Sequence, residues 1–174
     1  MAVTQQLVRV TADYLAACRQ SANASPDGDP QWDPPSSDCL DLDWAPAMLE
    51  RACELARLDT IHLNALRHAT EGDTALDLGF LNTHPNAIGA FGPAPTALSA
   101  AAVAHVSALI GEIDIEAILA ALPADNEEAG SLIGHGAEGV VGGPREYLLG
   151  HFIALREFYG KAAGGGLLVV LWWD

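Results

Sequence analysis

Polar and apolar residues alternate from Gln5 to Val10 in the manner of a short strand, and Thr11 supplies an N-cap for a helical run from Ala12 to Gln20. A strand feeding a helix is the opening unit. From Ser21 to Asp43 the pattern breaks. Prolines, Gly28 and the carboxylates of Asp27, Asp29, Asp33, Asp38 and Asp41 replace the aliphatics, apart from Leu40 and Leu42. This predicts one long Pro- and Asp-rich loop over 21–43, pinned to the body by Trp32. Structureless connections of that length are uncommon inside a compact domain and tend to be functional or mobile.

Asp43 is placed to cap a helix from Trp44 to Leu58, with Pro46 in the first turn, where no internal donor is lost. Asp59 or Thr60 opens the next helix and Gly72 closes it. Between Thr74 and Pro95 the signal is mixed: Ala75 to Leu81 fits a strand or a short helix, and Asn86, Gly89, Gly92, Pro93 and Pro95 mark turns. Two further starts are well specified. Ser99 and Asp114 are caps, each preceded by an apolar residue, Leu98 or Ile113, that can staple to Val103 or Ile118. Those helices run to Ile110 and to Leu122. Asp125 to Gly143 is glycine-rich connection. Pro144 then opens the longest helix, in which Leu148, Phe152, Leu155 and Tyr159 share a side up to about Ala163. After Gly164, Gly165 and Gly166, the bulky run Leu167 to Trp173 predicts a strand buried on both faces near the middle of a sheet. The fold class is α+β: a helix-rich single domain over 1–174, with about six helices and a small sheet that includes the N-terminal and C-terminal strands.

Charge narrows the choice of function more than size does. The 174 residues carry 23 Asp and Glu against 8 Lys and Arg, a formal net charge of −15, which argues against nucleic acid and anionic membrane surfaces as partners. No run approaches the roughly 20 apolar residues needed to cross a bilayer, and the first ten residues lack a signal-peptide pattern. Cys18, Cys39 and Cys53 have no paired spacing and read as small buried hydrophobes in a reducing compartment, so a cytoplasmic protein is expected. High alanine content with Lys161 as the single lysine points to a GC-rich bacterial genome.

Candidate chemistry is sparse. None of His62, His68, His84, His105, His135 and His151 has a helical i,i+3 or i,i+4 histidine partner, so no metal site is predicted. Asp27, Asp29 and Asp33 imitate the opening of a calcium loop, but Trp32 stands where the turn needs glycine and Asp38 replaces the bidentate glutamate. The glycines before Pro144 lack a following lysine, and Glu138 and Glu146 would repel an anion, so they read as linker. Cys53 with His62 and Ser99 with His105 are poor nucleophile pairs: Cys53 has no nearby cation and Ser99 is a helix cap. Tyr147, Phe158, Trp172 and Trp173 concentrate aromatic area that suits core packing, a pocket or a subunit contact. No cofactor is predicted.

The segment FGPAPTALSAAAVAHVSALIGEID, Phe91 to Asp114, resembles the aromatic-Gly-Pro-Ala, Leu-Ser/Thr and helix pattern of the YfbM-like bacterial family of unknown function. EYLLGHFIALREFYGKAAGGGLLVVLWW, Glu146 to Trp173, is similar to that family's closing helix, glycine turn and final strand. The acidic LDLDWAPAMLERACELARLDTIHLNALRHATEGD resembles its upstream helices. The likeness covers about two-thirds of the chain, from about Leu40 onward. It implies a compact cytoplasmic α+β protein without an established activity. Pro95 stands where the family commonly has Arg, so no role of that residue is carried over.

The leading expectation is a non-enzymatic, self-associating binding protein whose acidic surface selects a basic protein partner. The alternative is a small hydrolase or ligand-binding enzyme with a cleft near Gly79 to Pro95, in which His84 and Asp77 act as general acid and base.

Overall fold

A computed structural model describes residues 3–84, 88–89 and 92–174. Four strands form one antiparallel sheet: β1 (Gln5–Val10), β2 (Cys39–Asp43), β3 (Thr96–Leu98) and β4 (Leu168–Trp173), in the order β2-β1-β4-β3. Among the described residues seven α-helices accompany it: α1 (Ala12–Ala24), α2 (Ala45–Leu55), α3 (Thr60–Glu71), α4 (Ala100–Gly111), α5 (Ile115–Ala120), α6 (Asn126–Ile133) and α7 (Pro144–Gly164). The α+β class follows, with the first and last strands paired side by side from Gln5 opposite Trp173 to Val10 opposite Leu168.

β4 lies inside the sheet because each of its faces has a core to enter. Val169 and Leu171 join Leu7, Leu42 and Leu98 beneath the layer of α2 to α7. Leu168, Val170 and Trp172 join Val8, Val10 and Ala97 beneath α1 and the connection holding Leu78 and Leu81. Alternating side chains therefore meet protein on both faces, which is why the segment carries no polar alternation. Across the larger core runs α7, with Leu148, Phe152, Leu155 and Tyr159 fully buried. The Tyr159 hydroxyl donates to the Ala69 carbonyl at 2.7 Å and ties α7 to the end of α3.

Helix starts follow the predicted caps. Thr11, Asp59, Ser99 and Asp114 each accept a backbone N–H from the first turn. Gly72 closes α3 with φ +66, and a Cβ there would come within 2.6 Å of the Thr96 Oγ1.

Several expectations are corrected. The 21–43 loop is shorter than expected: α1 extends to Ala24, and Cys39–Asp43 is the edge strand β2, its Leu42 buried and its Asp41 exposed. What remains of the loop is held by Trp32, whose ring lies 5.7 Å from that of Tyr14 and 6.5 Å from that of Trp172. Asp43 does not cap α2; Trp44 holds that position and makes no side-chain cap bond. α2 ends at Leu55 rather than Leu58, and α5 at Ala120 rather than Leu122. The supposed connection 125–143 contains α6, capped by Asp125. Gly130 sits inside that helix because a Cβ would come within 2.7 Å of the Glu138 backbone. Here glycine serves close packing, not a turn. Ala75 to Leu81 holds only a 3-10 turn at Gly79–Leu81, and Asn86 lies outside the described residues. Cys18 and Cys53 are buried, but Cys39 is exposed.

Candidate functional site

At the corner where β2 meets α2, an irregularity in the ladder re-aims the chain. Gln5 pairs with Asp43 and Gln6 with Asp41, so Leu42 is an extra residue on β2. Such bulges bend an edge strand and redirect its side chains. Asp43 follows with φ +50, a left-handed conformation that costs a non-glycine residue energy and collects at sites where the surroundings impose it. Its backbone N–H is held by the Asp41 carboxylate at 2.7 Å.

The redirected carboxylate faces α7. The Tyr147 hydroxyl donates to Asp43 Oδ2 at 3.0 Å and accepts the Trp44 backbone N–H at 3.3 Å. His151, one helical turn on, places its ring 4.4 Å from that of Tyr147. Burial and the adjoining Asp43 carboxylate push the Tyr147 phenol up to about 12, so it keeps its proton at neutral pH. Burial draws His151 below its ordinary value, against the pull of Asp43 and Asp41.

Outside this cluster lies a hollow of about 360 Å³ lined by Asp43, Trp44, Tyr147, Val140, Val141 and two glycines of the 134–143 segment. Trp44 is 49% exposed and Val141 97% exposed, so two large apolar side chains stand on the rim of a hollow that also holds the Asp43 carboxylate. Trp44 is fixed in place by its indole N–H, which donates to the Val3 carbonyl at 2.8 Å. The arrangement offers a rigid aromatic ledge, a methyl-bearing lip and a carboxylate.

The sequence-predicted pair is engaged elsewhere. Asp77, well exposed, binds Arg19 at 3.2 Å, and His84 lies 3.6 Å from Asp27. Asp27 also accepts from the Ser25 hydroxyl, and the Asp29 carboxylate accepts the Gln31 N–H. No group of three His, Cys, Asp or Glu among the described residues is placed to hold a metal ion. Burial raises the Cys53 thiol to about 12, which leaves it inert as a nucleophile at neutral pH. Ser99 accepts the Ala102 N–H as a cap, and His105 is exposed. His62 bridges Asp59 at 2.6 Å and Glu112 at 3.1 Å, and both carboxylates raise its pKa. His68 pairs with Asp73 at 3.7 Å.

Asp43, Trp44 and His151 were missed as site residues because each has an ordinary local reading: a cap, a first-turn residue and a lone histidine. The available signal was the four-residue spacing of Tyr147 and His151 on one helix face. No protein-family model, curated protein or solved structure matches the chain. No helix among the described residues is long and apolar enough to cross a membrane.

Proposed function

We propose that the chain is a non-enzymatic binding protein of the YfbM-like type, whose acidic surface docks a basic protein partner with the hollow beside Trp44 as the anchor. The observation that carries this reading is an exposed Trp and Val set beside the Asp43 carboxylate in a molecule whose arginines are largely engaged within itself. Arg9 is held by Asp38, Arg19 by Asp77, Arg51 by Glu54, and Arg67 by Glu50 and Glu54. Arg145 donates to the carbonyls of Leu119, Leu122 and Ala124. The net charge of −15 is thus presented outward with little opposing charge at the surface. Charge of one sign steers a basic partner and sets its orientation, while buried aromatic anchors supply most of the affinity.

The Tyr147 hydroxyl, donating to Asp43 and accepting the Trp44 N–H, gives this corner a fixed shape and hydrogen-bonding pattern, which supports the binding reading. A cytoplasmic setting belongs to the same reading and rests on the unpaired spacing of the three cysteines. The test is capture from a bacterial extract at low ionic strength by the native chain and by Trp44→Ala. A basic protein retained by the native chain, released by salt and lost by Trp44→Ala supports the reading. No retained partner, or retention indifferent to Trp44, sinks it. A second copy of this chain is the other occupant of the hollow, and sizing both variants at high concentration separates that outcome.

A further inference from the structure

Helix α3 is held in different ways at its two ends. In its second half Ala65, Leu66, Ala69 and Thr70 are buried. Bonds from three other elements reach its last turn: the Tyr159 hydroxyl donates to the Ala69 carbonyl, the Gln5 amide to the Thr70 carbonyl and the Thr96 hydroxyl to the Glu71 carbonyl. None of these donors titrates near neutral pH. The opening turn, 60–64, has no buried residue, and Ile61 in it is 66% exposed. Sparse burial puts such a turn at the low end of local stability.

What fastens this turn from outside the helix is a histidine. Asp59 caps α3 through Oδ1, which accepts the Ile61 and His62 N–H groups at 3.0 and 3.2 Å, and its Oδ2 lies 2.6 Å from His62 Nδ1. The opposite ring nitrogen, Nε2, lies 3.1 Å from Oε2 of Glu112, the residue that closes α4. Each nitrogen of the ring thus faces an acceptor that has no proton to give. A neutral imidazole carries one N–H and can serve one carboxylate; the imidazolium carries two and serves both. The geometry therefore selects the charged ring. Among the described residues the His62–Glu112 contact is also the sole side-chain hydrogen bond between α3 and the end of α4.

The neighbouring elements add no competing charge. α4 has no Asp, Glu, Lys or Arg in Ala100–Gly111, and its His105 is exposed. On α2, Glu50 and Glu54 are engaged by Arg67, and Arg51 by Glu54. Farther along α3, His68 pairs with Asp73. In the flanking connections Asp114 caps α5, and Arg57 makes no ion pair among the described residues. Asp59 and Glu112 are the charged groups that meet the His62 ring.

We propose that His62 is a pH-operated clasp: as the imidazolium it ties the start of α3 to the end of α4, and when its proton passes to water the 60–64 turn opens while the rest of the helix stays in place. Once the ring is neutral, one carboxylate faces a nitrogen lone pair and that contact is lost. Both carboxylates are largely exposed, at 56% and 66%, so the effect is a local opening of a few fold and not loss of the fold. The clasp is separate from the Trp44 hollow and stands without the docking reading.

The experiment is amide hydrogen exchange of the full chain by NMR between about pH 6 and 9, with the intrinsic rate at each pH divided out, alongside titration of the His62 ring nitrogens. The ring is expected to titrate above 6.5. The Leu63 amide, bonded to the Asp59 carbonyl at 3.0 Å, should exchange about tenfold or more faster than that of Ala69 throughout, which marks its opening as local. Its protection should fall about threefold or more as the ring loses its proton. His62→Gln should hold Leu63 at the low level at every pH. Glu112→Gln should move the ring titration and the fall in protection down together. A ring that titrates at or below 6.5, or does not respond to Glu112→Gln, overturns the proposal. So does protection of Leu63 that ignores the titration, the same fall in His62→Gln, or exchange of Leu63 in step with Ala69.

Discussion

The helical core around α7 and the corner where β2 enters α2 handle polar groups in opposite ways. In the core, Tyr159 is fully buried and its hydroxyl is matched to the Ala69 carbonyl. Phe152 and Leu155 beside it fill the space between helix and sheet. At the corner, Asp43 takes φ +50, α2 starts without a side-chain cap bond, Trp44 is half in solvent, and Gln5 keeps a buried oxygen without a partner among the described residues. Departures from local rules gather at this corner, although Gln31, Arg57 and His135 also take positive φ and α7 also starts without a side-chain cap bond.

The sharpest test of that contrast compares two aromatic truncations. Phe152→Ala should lower unfolding stability by about 3–5 kcal/mol in urea titration, because it empties a fully buried position. Trp44→Ala should cost about 1 kcal/mol or less. Equal costs would show that the corner is ordinary core.

Next in size is a pair of glycines. Gly130→Ala should destabilise by about 1–3 kcal/mol, since the new Cβ meets the Glu138 backbone at 2.7 Å. Gly150→Ala, in α7 with nothing within 4 Å of the new atom, should stabilise by about 0.5–1 kcal/mol. Thermal unfolding of the two variants gives the two signs directly.

Two tyrosines give a finer comparison. Tyr159→Phe leaves a buried carbonyl unpaired and should cost about 1–3 kcal/mol, whereas Tyr147→Phe, at a half-buried position, should cost about 1 kcal/mol. Chemical denaturation that ranks them the other way would place the structural weight at the corner.

The smallest effect is in pH dependence, and it has opposite signs at two histidines. His62 has its folded pKa raised by Glu112 and Asp59, so its contribution is full below the ordinary value of 6.5 and is lost as pH rises through the raised folded value. His151 has its folded pKa lowered by burial, so its contribution is present above 6.5 and is lost as pH falls toward the lowered value. His62→Gln should therefore remove the loss of thermal stability on the alkaline side, and His151→Phe the loss on the acid side. Melting temperatures between about pH 5.5 and 8 read both slopes.

Much of the architecture was legible where local chemistry and tertiary context agree. Thr11, Asp59, Ser99 and Asp114 cap because a short oxygen-bearing side chain satisfies first-turn N–H groups whatever packs outside. The 167–173 run belongs inside a sheet because seven bulky residues need two buried faces. Legibility failed where one residue type serves two purposes. The Leu40, Asp41, Leu42, Asp43 alternation carried a period-two signal, but the surrounding prolines and aspartates masked it. The 125–143 stretch reads as glycine-rich connection because the contact that places Gly130 inside a helix, the Glu138 backbone, lies across a turn. β3, three residues long, has too few positions to show a period.

By itself, then, the sequence determined the class of fold, the central place of the last strand and the excess of negative charge, since these follow from residue types and their spacing along a single chain. Tertiary structure alone decided that Asp43 turns from capping a helix to holding Tyr147, 104 positions away, and that Gln5 stands buried with one oxygen unmet among the described residues. Such pairings depend on which elements the sheet order brings together, and no periodicity within either segment encodes that distance.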